Sequence, residues 1–185
     1  MSIFFVTLFS ILLAEIGDKT QLLTLLLIAR FRKPAVILIA MSLATFVNHL
    51  IAASVGDWLN QYLNPTLIHL IIGIGFFMMA VWLFVPEQGE TTFRASKPFW
   101  SSLLIFFLAE MGDKTQVATL LLAARYQQIG LVVIASTLGI IFANAPMLFF
   151  GHYLHPYMKR RWGRYSAAVI FIVLGITALS YTPVL

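Results

Sequence analysis

The dominant pattern along this chain is a succession of long apolar runs separated by short polar segments. Continuous apolar runs of about twenty residues are typical of transmembrane α-helices, whereas a transmembrane β-barrel would show short alternating segments. The pattern predicts six helices, near residues 2–29, 35–58, 65–85, 98–125, 129–152 and 165–183. We therefore expect an all-α integral membrane protein.

An internal repeat divides the predicted helices into two sets of three. The segment AEIGDKTQ at residues 14–21 returns as AEMGDKTQ at residues 109–116, an offset of 95 residues, and Gly56 falls on Gly151 at the same offset. Because three is an odd number, the second set should enter the membrane from the opposite side. This predicts one transport domain of two inverted three-helix repeats (1–85 and 98–185) joined by a cytoplasmic linker (86–97), an architecture found in many secondary transporters.

The distribution of basic residues predicts how the helices are oriented. The loop after the fourth predicted helix has only Arg125, and the loop after the second has no basic residue. The other three loops hold Arg30, Arg32, Lys33, Arg94, Lys97, Lys159, Arg160, Arg161 and Arg164. Short cytoplasmic loops are enriched in Lys and Arg, so loops one, three and five should be cytoplasmic and both termini should lie outside. Membrane orientation explains the net charge of +5 better than nucleic-acid binding does.

Composition narrows the class of protein further. The chain is 61% hydrophobic and 10% charged, which leaves little room for a soluble catalytic domain. The first apolar run contains the charged motif and no basic residue precedes it, so we interpret it as a retained helix rather than a signal peptide. Cysteine is absent, which excludes disulfides, thiolate metal ligands and cysteine nucleophiles. We expect no enzymatic activity and no prosthetic group.

The repeated motif places carboxylates deep in the membrane. At 1.5 Å per residue, Glu15 lies roughly 20 Å along its predicted helix from Ser2, near the bilayer centre. An ionised carboxylate facing lipid at that depth costs at least about 2.5 kcal/mol. On an unbroken helix, Glu15 and Asp18 share one face, and Glu110 and Asp113 do the same. Both faces should therefore point to a protein interior or a water-filled cavity.

If the two faces meet, they form a site whose ligands are all oxygen atoms, which suits Mn²⁺, Ca²⁺ or Mg²⁺. The predicted ligands are Glu15, Asp18, Gln21, Glu110, Asp113 and Gln116. Supporting roles are predicted for Lys19, Thr20, Lys114, Thr115, Asn48, His49 and Asn144. Four carboxylates and two lysines leave a net charge of about −2, which balances one divalent ion. Repulsion among the carboxylates also favours proton uptake when the cation leaves, a route to cation/proton exchange.

Each of these residues has a structural alternative. The acids can form ion pairs with Lys19 and Lys114, and such pairs should cross between the halves because adjacent Asp and Lys side chains diverge on a helix. Asn48, His49 and Asn144 can add ligands or a proton relay, or can make ordinary hydrogen bonds between helices.

The paired motifs Glu15-Ile16-Gly17-Asp18-Lys19-Thr20 and Glu110-Met111-Gly112-Asp113-Lys114-Thr115 resemble those of a known cation-transporter family. It was once catalogued as uncharacterised protein family 0016 and includes MneA-like bacterial manganese exporters and Golgi manganese and calcium transporters. The resemblance covers essentially the whole chain. It implies that the acids bind Mn²⁺, with Ca²⁺ as the alternative cargo, and that protons are exchanged. The short chain favours a bacterial protein of the cytoplasmic (inner) membrane. The direction, export from the cell, is implied by the resemblance alone, and a homo-oligomer is an assembly that the sequence leaves open.

Three other functions fit parts of the pattern. An intramembrane aspartyl protease also uses two membrane-buried aspartates, but its usual G-x-G-D word has Glu15 here in place of the first glycine. An exporter of organic cations or amino acids would need a larger, more aromatic cavity. A scaffold subunit would tolerate loss of the acids.

Overall fold

The computed structural model describes residues 2–84, 97–154 and 161–180, and it describes side chains for all of these except 151–154 and 161–164. Most of the predicted linker (86–97) therefore lies outside the described residues. The same holds for the basic residues Arg94, Lys159 and Arg160 and for the end of the last predicted helix.

The described part of the chain is all-helical. Its eight α-helices are α1 (Ile3–Glu15), α2 (Lys19–Phe31), α3 (Pro34–Tyr62), α4 (Pro65–Trp82), α5 (Pro98–Glu110), α6 (Lys114–Tyr126), α7 (Ile129–Leu154) and α8 (Arg161–Ser180). The starts of α1, α2 and α3 recur in α5, α6 and α7 at the offset of 95 residues that relates the two sequence motifs. The repeat is therefore present in the helices as well as in the sequence.

Local sequence explains several helix boundaries. Proline occupies the first position of α3, α4 and α5, where its missing N–H costs no hydrogen bond. The side chain of Asn64 accepts a hydrogen bond from Thr66 N at 2.8 Å and caps α4. The helices α2 and α6 end at Arg32 and Gln127, which adopt the left-handed conformation and occupy equivalent positions in the two repeats.

Two of the predicted helices are wrong as continuous elements. The helix expected over 2–29 is divided into α1 and α2, and the helix expected over 98–125 is divided into α5 and α6. The chain leaves the helical path at Gly17 and Gly112, whose φ angles are +80° and +75°. These are left-handed values that an L side chain rarely adopts, so glycine permits the break. Each resulting half has 13 residues, fewer than the roughly 20 needed to span a bilayer.

The polarity of the fold is that of a protein surrounded by lipid. By length and composition, three described helices can cross a membrane: Pro34–Tyr62, Pro65–Trp82 and Ile129–Phe150. Large apolar side chains cover the outside, with Leu26, Met78 and Val81 each more than 60% exposed. Most charged and amide side chains of the two motifs are instead buried, which is the arrangement expected where the surrounding solvent is hydrocarbon. The buried ones are Glu15, Asp18, Gln21, Glu110, Asp113 and Lys114. We conclude that the chain is an integral membrane protein.

The helices of the two repeats interlock. The helix α1 packs mainly against α7 and α5 packs mainly against α3, so the segment before each break lies on the long helix of the other repeat. The helices α4 and α8 pack together, with the rings of Phe76 and Phe171 stacked at a centroid distance of 6.0 Å. This exchange of partners brings both motifs to the contact between the repeats.

Candidate cation-binding site

Each motif forms a non-helical turn between two half-helices. The turn closes with a hydrogen bond from Asp18 N to Glu15 O at 3.1 Å, and from Asp113 N to Glu110 O at the same distance. The glutamate is thus the last residue of one half-helix, and the aspartate is the N-cap of the next. The expectation that the two acids share one helix face is wrong, because the glycine between them ends the helix.

Two reciprocal ion pairs join the motifs. Lys19 Nζ lies 2.8 Å from Asp113 Oδ1, and Lys114 Nζ lies 2.6 Å from Asp18 Oδ1. The side chains of Asp18, Asp113 and Lys114 are at most 4% exposed, whereas that of Lys19 is 22% exposed. The prediction that any such pairs cross between the halves is confirmed.

The position of the lysines is unusual for a helix. Each is the first residue of its half-helix, where the positive end of the helix dipole disfavours a cation. Local helix stability therefore does not account for Lys19 and Lys114. Their ammonium groups instead supply countercharge to the buried aspartates of the other repeat.

The two glutamates are fully buried, and one carboxylate oxygen of each accepts a hydrogen bond from a described residue. Glu15 Oε1 accepts a hydrogen bond from Asn144 Nδ2 at 3.2 Å, and Glu110 Oε1 accepts one from Thr45 Oγ1 at 2.7 Å. The second oxygen, Oε2, has no hydrogen-bond partner among the described residues in either case. Asn144 is fixed in turn, since its Oδ1 accepts a hydrogen bond from Thr24 Oγ1 at 3.1 Å.

The glutamine oxygens of both motifs and the hydroxyl of Thr115 form hydrogen bonds within their own motif. Gln21 Oε1 accepts a hydrogen bond from Gly17 N, and Gln116 Oε1 accepts one from Gly112 N. Thr115 Oγ1 donates to Asp113 Oδ2 at 3.1 Å. The hydroxyl of Thr20 is buried and has no hydrogen-bond partner among the described residues.

The polar residues of the long helices lie beside the motifs. Asn48 Nδ2 donates to Phe107 O at 3.0 Å, which ties α3 to α5. His49 Nδ1 and Ser136 Oγ are hydrogen-bonded at 2.8 Å, which ties α3 to α7. Hydrogen bonding between helices, one of the two interpretations offered for these residues, is thus observed.

Three further polar residues at the site, Thr24, Thr45 and Ser136, were not predicted from the sequence. Thr45 precedes Asn48 by three positions and so lies on the same helical face, a spacing that marks it as a candidate. In the part of the chain that the structure describes, no three His, Asp or Glu side chains are close enough together to hold one metal ion. Two of the four carboxylates are instead engaged by lysines.

Buried acids at paired helix breaks, inside an apolar helical protein, are typical of membrane transporters that carry ions. Comparison with known proteins specifies the family. The model of the GDT1 family, described as divalent cation/proton antiporters, matches residues 3–91 and 98–182. The chain belongs to this family, which consists of transporters and not of enzymes.

Individual relatives agree with the family. The chain is 38% identical over 179 residues to a Vibrio cholerae protein named "Putative manganese exporter", covering 95% of this chain and 90% of that protein. It is 26% identical to GDT1-like protein 3 of Oryza sativa subsp. indica, covering 97% of this chain and 74% of that protein. It is 25% identical to GDT1-like protein 3 of Arabidopsis thaliana, covering 94% of this chain and 69% of that protein. No solved structure matches the chain significantly.

Proposed function

We propose that this protein exports Mn²⁺ from the bacterial cytoplasm across the inner membrane in exchange for protons, through one carboxylate site built by both repeats. The observation that carries the proposal is the pair of reciprocal ion pairs, which join the two motifs at one buried centre. The name of the Vibrio cholerae relative supports manganese as the cargo and export as the direction.

The proposed architecture is six membrane spans in two inverted repeats, 1–85 and 98–185. Each broken pair, α1 with α2 and α5 with α6, counts as one span, because a 13-residue half crosses only about 20 Å. Three spans per repeat reverse the direction of the second repeat. From the basic residues of loops one, three and five we propose that these loops are cytoplasmic and that both termini lie outside.

The proposed cation ligands are the four carboxylates, which must move closer together to bind one ion, because no three described acids are near enough to share it in this structure. Glu15 Oε2 and Glu110 Oε2 are buried acceptors with no hydrogen-bond donor among the described residues. Asp18 Oδ1 and Asp113 Oδ1 form ion pairs with lysine ammonium groups. These groups supply the positive charge that a bound cation would otherwise supply. Cation entry therefore requires Lys19 and Lys114 to move away from the aspartates.

Charge balance gives a physical route to exchange. Four carboxylates and two lysines carry a net charge of about −2, so one divalent cation neutralises the centre. Departure of the cation leaves closely spaced like charges, which favours uptake of protons by the carboxylates. Binding of the cation and binding of protons are then mutually exclusive, which is the requirement for antiport.

The test is flux in sealed proteoliposomes, following Mn²⁺, Ca²⁺ and Mg²⁺ with internal indicators and protons with a pH-sensitive dye. We expect Mn²⁺ movement with opposite proton movement, abolished both in Glu15→Gln and in its repeat equivalent Glu110→Gln. Asp57→Asn is the matched control, because Asp57 lies near the end of α3 and bonds only to Gln61 in the described contacts.

Several outcomes would contradict parts of the proposal. Flux of Ca²⁺ in preference to Mn²⁺ would identify a Ca²⁺/H⁺ antiporter. Mn²⁺ flux without proton movement would remove the coupling. Mn²⁺ flux that survives in either glutamate variant would contradict the proposal that both repeats build one site.

A further inference from the structure

We propose that Gln21 and Gln116 are positioning residues, each of which fastens the non-helical turn of its own motif to the long helix of the opposite repeat. This inference rests on the proposed function, since what the turns position is the proposed cation site. It replaces the simpler expectation that the two amides coordinate the cation directly.

Both ends of the Gln21 amide are used. Its Oε1 accepts a hydrogen bond from Gly17 N at 2.9 Å, and its Nε2 donates to Ala143 O of α7 at 2.9 Å. Gln21 is 2% exposed, so these bonds are made away from bulk solvent. One side chain thus connects the break in the first repeat to a helix of the second.

The second repeat makes the same connection in the other direction. Gln116 Oε1 accepts a hydrogen bond from Gly112 N at 2.6 Å, and its Nε2 donates to Asn48 O of α3 at 3.3 Å. At the offset of 95 residues, Gln21 corresponds to Gln116 and Gly17 to Gly112. The acceptors correspond as well, since Asn48 falls on Ala143. A contact that recurs at equivalent positions of both repeats is a feature of the repeat unit.

The chemistry of the two contacts suits a primary amide. Where the helix breaks, the glycine N–H no longer has the acceptor that an unbroken helix would supply, and surrounding lipid offers little water to replace it. The carbonyl on the facing helix can accept a second hydrogen bond through its other lone pair, so a donor can be placed there. Glutamine supplies an acceptor and a donor from one side chain, whereas ionised glutamate offers only acceptors and methionine offers neither in comparable strength.

The two carbonyls that accept these bonds lie on α7 and α3, next to the side chains that hydrogen-bond to the glutamates. Ala143 directly precedes Asn144, which donates to Glu15 Oε1. Asn48 follows Thr45 by one helical turn, and Thr45 donates to Glu110 Oε1. Each glutamine therefore sets the position of a motif's turn, which carries the aspartate, relative to the helix that holds the glutamate.

The test compares Gln21→Glu and Gln21→Met in the full chain, with Gln116→Glu and Gln116→Met as equivalents in the other repeat. A directly coordinating residue predicts that glutamate, with its added negative oxygen, binds Mn²⁺ at least as tightly as the wild type. A positioning residue predicts that both variants weaken Mn²⁺ binding by about tenfold or more, the usual effect of losing an outer support of a metal site. Mn²⁺ titration of detergent-solubilised protein measures this.

Hydrogen exchange at the glycine amides provides a readout that does not depend on metal. We expect faster exchange at Gly17 in Gln21→Met, where its acceptor is lost, and little change in Gln21→Glu, which keeps an acceptor. Gly112 should respond in the same way to the Gln116 variants. If Gln21→Met does not fold, the Gln116 variants and Gln21→Glu still test the proposal.

The outcomes separate this inference from the proposed function. Tight Mn²⁺ binding by Gln21→Glu and Gln116→Glu, or unchanged glycine exchange in the methionine variants, would overturn the positioning role. Absence of Mn²⁺ binding in the wild type would overturn the proposed function. The exchange measurements would still decide whether the glutamines fasten the turns.

Discussion

Replacing Lys114 with methionine should destabilise the protein more than replacing Lys19, although the two lysines occupy equivalent positions in the repeats. In the first pair, Lys114 and Asp18 have side chains that are 4% and 2% exposed, with Nζ and Oδ1 2.6 Å apart. Removing one partner of a buried ion pair costs about 3–5 kcal/mol, because the remaining charge stays desolvated. We expect a loss in this range for Lys114→Met.

The equivalent variant provides the comparison. Lys19 is 22% exposed, so its pair with Asp113 is partly solvated before the substitution. Asp113 also keeps the hydrogen bond that Thr115 Oγ1 donates to its Oδ2 at 3.1 Å. We expect Lys19→Met to lower the free energy of unfolding by about 1–3 kcal/mol, between the values for exposed and buried ion pairs.

The free energy of unfolding is measured in detergent micelles with a metal chelator present, so that bound cation does not contribute. The double variant Lys114→Met with Asp18→Asn removes both charges and should be more stable than the sum of the single losses predicts, by about 1–3 kcal/mol. Equal losses for the two lysine variants would refute the argument from burial. Strictly additive losses in the double variant would refute the ion pair as the source of the stability.

Two further predictions concern glycines. Gly56→Ala should destabilise the protein by about 1–3 kcal/mol in the same unfolding assay, because an added Cβ would clash with Leu120 O and force α3 and α6 apart. Gly130→Ala, with nothing within 4 Å of its Cβ, is the control, and an equal loss there would contradict the packing argument. Gly112→Ala meets no atom within 4 Å but must adopt a φ of +75°, so we expect a loss of about 1–2 kcal/mol from backbone strain alone; no measurable loss would show that the turn can relax.

Much of the candidate site was predictable because membrane burial makes polar residues conspicuous. Glu15, Asp18, Glu110 and Asp113 were identified since a carboxylate in an apolar run is too costly to leave facing lipid. Thr24 of α2 and Thr45 of α3 were missed, because a hydroxyl costs much less to bury than a carboxylate and can bond to its own helix. The hydrogen bond from Thr45 to Glu110 is what assigns Thr45 to the site.

The helix breaks were not predicted from the motif. The segments that contain Gly17 and Gly112 were predicted as continuous helices, and glycine is compatible with both a continuous helix and a break. Whether the helix breaks at such a glycine depends on which groups hydrogen-bond to the backbone N–H and C=O groups that the break leaves without helical partners. Here the acceptor for Gly17 N is Gln21 Oε1, and the donor end of that amide needs Ala143 of the other repeat.

The sequence by itself determined the membrane class, the duplication at an offset of 95 residues, and the identity of the buried charges, because hydropathy and repetition are properties of the chain alone. Only the tertiary structure decided that each motif is a turn between half-helices and that Lys19 pairs with Asp113 and Lys114 with Asp18. The reason is physical. A break in a membrane helix and a buried ion pair are stable only when groups from the other repeat satisfy them, and those groups lie about a hundred residues away in the chain.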